Sequence, residues 1–221
     1  MELQKAIENR RSIRMFLPRS VPRETIEAIV TKALWAPSWG NTQPWEIIAA
    51  DGPALEEFKK QNRQAMLDNL ESKPDITTPN TWPEPLITRY KQVGMSVLGA
   101  LKIERGDKQG RVQYYGDMNY LFDAPALLMF VAKKDLNLEY TVLDCGLLIQ
   151  NICLLAEEQG LGTCLLAASI NYPENAHKLL AIPEDRKLIV GMAIGWPDRE
   201  AAVNSFERKR GALDEFMRWS S

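Results

Sequence analysis

Three guanidinium groups and a hydroxyl fall within five residues near the start of the chain, in "RRSIR": Arg10, Arg11, Ser12 and Arg14. Arginine presents its N–H donors in a planar fork that matches phosphate or carboxylate, so this spacing can converge on one anion. Taken alone, a solvated basic face at a helix end explains the same residues. A second basic run, "ERKRG", carries Arg208, Lys209 and Arg210 near the other end. Two such clusters in a chain of net charge −2 suit one dianionic ligand gripped from two sides. The third candidate is "APSWGNTQPW", residues 36–45, which spends two prolines and two tryptophans on ten residues. Ser38 and Asn41 form turns and can also donate to a ligand, and Gly40 permits close backbone approach. Gln43 both donates and accepts, which suits the polar edge of a heterocycle. Trp39 and Trp45 offer flat apolar surface. Trp45 leads into a strand and is expected in the core, whereas Trp39 is expected at the rim of a site.

What is missing narrows the chemistry further. The chain has 221 residues, 45% of them hydrophobic and 25% charged, the balance of a globular protein with a sizeable core. Its pI near 5.6 leaves no electrostatic case for nucleic acid. There is one histidine, His177, in a short surface helix between prolines, and no Cys/His cluster with metal-ligand spacing, so no metal site is expected. Neither GxxxxGK[ST] nor GxGxxG after a strand occurs, which leaves P-loop and Rossmann nucleotide binding unsupported. Cys145, Cys153 and Cys164 are odd in number and lack a CxxC, which fits reduced thiols in the cytoplasm. The N-terminus has no apolar signal region, and the stretch Val142–Ala156 reads as too short and too polar to span a bilayer. With side-chain catalysts this scarce, an enzyme built on this chain would rely on a bound organic cofactor.

The elements that must position these residues read as follows. Residues 2–11 form a short amphipathic helix, and a second helix starts after Pro22, with Ile26, Ile29, Val30, Ala33 and Leu34 at helical spacing. "WEIIAA", 45–50, is a strand, followed by a helix over 53–70. The proline-rich segment 71–85 is a loop or lid. A helix over 86–104 gives way to a polar stretch through 113. "PALLMFVAK", 125–133, is a continuous apolar strand, as expected for a strand covered on both faces. Residues 140–159 form a helix apolar nearly all round, with Gly160 as its C-terminal cap, and strands follow at 160–168 and 187–197 around a short helix at 173–180. The tail, 198–221, carries Phe206, Leu213, Phe216 and Trp219 and should dock rather than trail in solvent. No repeat or composition shift marks a boundary, so a single α+β domain over 1–221 is expected. The apolar helix and the aromatic tail are both accommodated by a homodimer with a large apolar interface; a central place for the helix in a monomer core is the alternative.

"RRSIRMF", "APSWGNTQPW", "GLGTCLL" after a long helix, "VGMAIGWP" and the basic tail motif together resemble the FMN-dependent nitroreductase family, in order and over essentially the whole chain. The tryptophan in "PSW-x-NTQPW" and the segment "RYKQVGMSVLGALKIERGD" are similar to the branch that includes nitrobenzoate reductases. The resemblance implies an α+β homodimer with a central mixed sheet flanked by helices and a C-terminal segment, 198–221, wrapping the partner. It implies FMN in pockets shared by both subunits and NADH or NADPH as electron donor. Carried over by position, Arg10, Arg11, Ser12 and Arg14 match the motif for the FMN phosphate and ribityl chain, and Arg208 and Arg210 match the C-terminal basic pair on the phosphate. Pro37, Ser38, Trp39 and Asn41 match the loop that reaches the flavin from the other subunit. Leu166, Ala167 and Ala168 fall where family backbone amides face the flavin N5 and O4 edge; the family's acidic residue near that turn has no evident counterpart in "LLAASINYPE". Trp39, Trp82 and Tyr90 are candidate walls for a small aromatic acceptor. The implied activity is ping-pong reduction of nitroaromatics or quinones. Reductive dehalogenation, flavin fragmentation and flavin binding without turnover are the alternatives.

Overall fold

The apolar run at 126–133 forms a strand whose alternate residues enter two different cores. Ala126, Leu128, Phe130 and Ala132 belong to one hydrophobic cluster, and Leu127, Met129 and Val131 to the other. A strand's side chains alternate between faces, so a run apolar at every position is what a sheet covered on both sides requires. The structure is a computed structural model that describes residues 1–79 and 81–220.

In chain order the elements are α1 (Leu3–Asn9), α2 (Arg23–Ala33), β1 (Glu46–Asp51), α3 (Gly52–Leu67), α4 (Leu86–Ala100), α5 (Lys108–Asn119), β2 (Ala126–Lys133), α6 (Leu138–Glu158), β3 (Gly162–Leu166), α7 (Pro173–Leu179), β4 (Arg186–Gly195) and α8 (Ala202–Ser205). The strands lie in the order β1-β2-β4-β3. The α+β class is as expected, but the mixed sheet needs correcting. All three strand pairs are antiparallel, and among the described residues the parallel component is one bridge between Ser12 and Thr163. Helices α2 and α6 cover one face of the sheet; α3, α5 and α7 pack together on the other.

Helix α6 is the centre of the first core. Cys145, Leu148, Ile152 and Ala156 are fully or almost fully buried. Its end is a Schellman-type turn: Gly160 has φ +77°, and the Leu161 N–H reaches the Ala156 carbonyl at 2.9 Å. The helix is longer than the stretch 142–156, and by length and composition alone its 21 residues could cross a membrane. It is also packed against α1, α2 and β3, with Thr141, Asp144 and Glu157 buried, as in the core helix of a folded domain.

Two expectations change in the middle of the chain. The polar stretch before residue 113 begins helix α5, capped where the Asp107 carboxylate accepts from the Gly110 N–H at 2.8 Å. Segment 71–85 is stitched down in its first half: Lys73 N–H donates to the Asn171 carbonyl at 2.9 Å, and Asp75 accepts from Leu188 N–H at 2.8 Å. The tail divides as well. Val203 and Asn204 are buried on their own chain, whereas Leu213, Phe216 and Trp219 are exposed.

Candidate functional site

The residues 12–17 lie along the ends of β3 and β4. Ile13 N–H donates to the Thr163 carbonyl at 2.9 Å and Leu17 N–H to the Trp196 carbonyl at 2.8 Å. Ile13 and Phe16 are buried, which turns Arg10, Arg11, Ser12 and Arg14 toward the surface, each half-buried. Gly162 permits the approach, since a Cβ there would stand 2.4 Å from Ile13 Cγ1. The tail reaches the same place through Asn204, which is 4% exposed. Its Oδ1 accepts from Arg14 N–H at 2.7 Å, and its Nδ2 donates to the carbonyls of Met15 at 2.7 Å and Asp198 at 2.8 Å. Arg208 donates to the carbonyls of Glu8 and Arg10, and Arg11 donates to the carbonyl of Phe206 while lying 5.3 Å from that ring's centre. The two basic runs are thus laced together by side chain-to-backbone bonds.

Between them opens a cavity of about 1050 Å³, lined by Arg10, Arg11, Ser12, Arg14, Arg208, Lys209 and Arg210, and on the α4 side by Arg89, Gln92 and Ser96. Burial, then the neighbouring Arg208 and Arg14, press the Arg11 guanidinium below its usual range. Burial, then Arg210 and Arg10, do the same to Arg208. Guanidiniums that repel one another inside a cavity form a site of positive potential, and an anion placed there relieves the repulsion. Two carboxylates also line it, Glu207 and Glu215. Glu215 is already committed: the Ala212 N–H at 2.7 Å and then Arg89 hold it below the usual carboxylate range.

The loop 36–45 lies outside this cavity. Trp39, Gly40 and Asn41 make a single 3₁₀ turn in which Gly40 and Asn41 have φ +56° and +57°, and Gln43 has φ +48°. Ser38 Oγ accepts from Gln43 N–H at 3.0 Å. The Trp39 N–H points at both carboxylate oxygens of Asp144, each at 3.2 Å. Trp39 is 65% exposed and 5.9 Å from the Tyr140 ring, whereas Trp45 is buried in the α6 core. Pro37 is exposed and Ser38 half-buried. Leu166, Ala167 and Ala168 form the end of β3 and the turn after it; Leu166 and Ala168 are buried, Ala167 is exposed, and none of them lines the cavity. Trp82 and Tyr90 are exposed and also outside it, although Arg89, next to Tyr90, faces in. His177 sits in a separate groove with Nδ1 3.0 Å from the Ile182 carbonyl oxygen.

A single chain therefore brings together Arg10, Arg11, Ser12, Arg14, Arg208 and Arg210, and leaves the tryptophan loop elsewhere. Sequence reasoning missed Asn204, the clasp between the two runs, and Asp144, the anchor of the loop. Asn204 sits in a charged tail with no periodicity to mark it. Asp144 had a visible signal, a carboxylate inside an otherwise apolar helix.

The chain belongs to the nitroreductase family, whose description matches residues 7–196. It is 34% identical over 214 residues to the chloronitrobenzene nitroreductase of Comamonas testosteroni, covering 95% of this chain and 93% of that one. The 4-nitrobenzoate reductase of Pseudomonas putida is 30% identical, with 95% and 92% covered. The iodotyrosine deiodinase of Mus musculus is more remote, 26% identical over 98% of this chain and 68% of that one. Among solved structures, the FMN and NADPH-dependent nitroreductase NfnB of Sphigopyxis sp. strain HMH superimposes with a TM-score of 0.95 at 29% identity, over 100% of both chains.

Proposed function

We propose that this protein is an FMN-dependent NAD(P)H oxidoreductase that reduces nitroaromatic or quinone-type acceptors by a ping-pong route, and that two copies complete each site. The observation that carries this reading is the convergence of both basic runs on one cavity. FMN ends in a phosphate dianion, and a cluster of mutually repelling guanidiniums is the donor set such a group needs. In this reading Arg10, Arg11, Ser12, Arg14, Arg208 and Arg210 hold the phosphate and ribityl chain. Pro37, Ser38, Trp39 and Asn41 reach the flavin from the second copy, because in their own chain they lie outside the cavity. The backbone of Leu166, Ala167 and Ala168 faces the ring edge. Trp39, Trp82 and Tyr90 wall the place where nicotinamide and acceptor sit in turn and exclude water from it. When bound, FMN supplies the two-electron chemistry that the side chains lack.

The same proposal places residues 1–221 in one domain, with Leu213, Phe216 and Trp219 of the tail docked on the partner. It places the protein in the cytoplasm, in keeping with three free, buried cysteines; burial pushes the thiols of Cys145 and Cys164 up to about 11. The test is anaerobic titration of the purified yellow protein with NADH and NADPH, followed by 4-nitrobenzoate, a benzoquinone and an iodophenol. Bleaching by a nicotinamide and recovery with the nitro compound or the quinone is expected. A flavin left oxidised by both donors overturns the proposal, and recovery with the iodophenol alone moves the protein to dehalogenation. The double variant Arg10→Ala/Arg208→Ala is expected to retain no FMN.

A further inference from the structure

Asp144 is a carboxylate inside the most apolar helix of the protein. It is 3% exposed, with Cys145 and Leu148 beside it in the α6 core. Among the described residues, the one hydrogen-bond donor it receives is the Trp39 backbone N–H, shared between its two oxygens at 3.2 Å each. A buried carboxylate with a single hydrogen-bond donor is weakly compensated, which costs stability. What the charge holds is a loop that does not rest easily. Gly40, Asn41 and Gln43 all lie at positive φ, near +50°, a region that glycine adopts freely, asparagine tolerates and glutamine disfavours. From within, the loop is tied by Ser38 Oγ to Gln43 N–H and by Asn41 N–H to the Ser38 carbonyl. Toward the body of the protein, the Trp39 N–H is the hydrogen bond that fastens the tip, and Asp144 is its acceptor.

We infer that Asp144 is a positioning residue: its carboxylate holds the 38–43 loop in the strained shape that presents Ser38, Trp39 and Asn41 to the flavin of the partner copy. The inference rests on the proposed flavin site. It assigns the buried carboxylate to cofactor capture rather than to folding. Trp39 and Tyr140, 5.9 Å apart, form the outer wall above it. Loosening the tip therefore separates the two rings and disperses the polar groups of the loop.

The test compares wild type, Asp144→Ala and Asp144→Asn as full-length purified proteins. Amide hydrogen exchange over residues 36–45 reports the anchor, and the FMN dissociation constant reports its purpose. Asp144→Ala is expected to speed exchange in the loop and to weaken FMN binding about tenfold or more. Asp144→Asn keeps an oxygen acceptor for the Trp39 N–H and is expected to restore most of both. Asp144→Ala with unchanged exchange, or with faster exchange but wild-type FMN affinity, overturns the inference while leaving the flavin site standing. A wild-type protein that binds no FMN overturns the proposed function, and this inference falls with it. Should Asp144→Ala fail to fold, Asp144→Leu also removes the acceptor for the Trp39 N–H and is expected to give the same pair of changes; wild-type exchange or wild-type FMN affinity there overturns the inference.

Discussion

Arg208 shows how little of an arginine's donor capacity is spent on architecture. Its guanidinium caps the carbonyls of Glu8 and Arg10 and still borders the cavity beside Arg210. A planar fork can be fixed on one edge and offered on the other, which a lysine cannot do. Lys59 is the contrasting case. It is 1% exposed and wholly committed, to Glu56 at 2.5 Å, Asp123 at 2.8 Å and the Ala124 carbonyl at 3.3 Å, with the Tyr120 hydroxyl donating to Glu56 at 3.0 Å. Burial works to raise the Glu56 carboxyl, and the Lys59 and Tyr120 hydrogen bonds outweigh it, so it sits below its usual value of 4.5. A depressed carboxyl stabilises the fold above its unfolded value and loses that contribution as pH falls through the native one. Wild type is therefore expected to exceed Glu56→Gln in urea midpoint at pH 6 to 7, with the gap closing below about pH 4. A gap independent of pH would contradict this. The arginines were legible as residues because their type and spacing state their chemistry. Lys59 was not, since a lysine in a polar helix reads as solvated until its burial is known.

Among the elements, β2 and α6 could be read from apolar content alone, because burial on two faces leaves a run with no polar side. Helix α5 was not readable, and its first turns read as a polar stretch through residue 113. Its buried positions are Gly116 and Asn119, and neither carries the apolar signature on which periodicity depends. The junction between residues 12–17 and β3 is where elements decide the site. A methyl group at Gly162 would meet Ile13 Cγ1 at 2.4 Å, Ile13 Cβ at 3.2 Å and Pro197 Cβ at 3.2 Å. Gly162→Ala is expected to cost about 1–3 kcal/mol and to displace Arg10–Arg14 from the tail arginines. Chemical denaturation together with FMN retention checks both effects. Ile13→Ala in the same chain removes the clashing Cγ1 and should recover part of the FMN retention, and a Gly162→Ala variant with wild-type stability and full flavin content would refute the close packing.

For the whole molecule, the exposed apolar surface is the telling feature. Tyr140, Leu143 and Leu147 recur at helical spacing on the open face of α6, 53%, 58% and 40% exposed. Leu3 and Ile7 of α1, Trp35, Trp39 and the tail residues Phe216 and Trp219 are open as well. Covering surface of this kind is what the proposed dimer would do. Light scattering is expected to give twice the 25.1 kDa chain mass for wild type. Leu143→Glu should give the single-chain mass and lose FMN, because the tryptophan loop would no longer meet the arginine cavity. A monomeric Leu143→Glu that stays yellow would separate dimerisation from flavin binding and sink the shared site.

The sequence by itself determined the class of the protein, the buried strand and helix, and the arginines that form a cavity. Residue type and periodicity carry that information locally, and five motifs in fixed order carry the family. Only the tertiary structure decided which residues meet. Asn204 joins two segments from opposite ends of the chain, Asp144 reaches a loop a hundred residues away, and the antiparallel order of the sheet places both ends on one edge. Contacts at that separation come from packing between elements, and no local pattern of side chains encodes them.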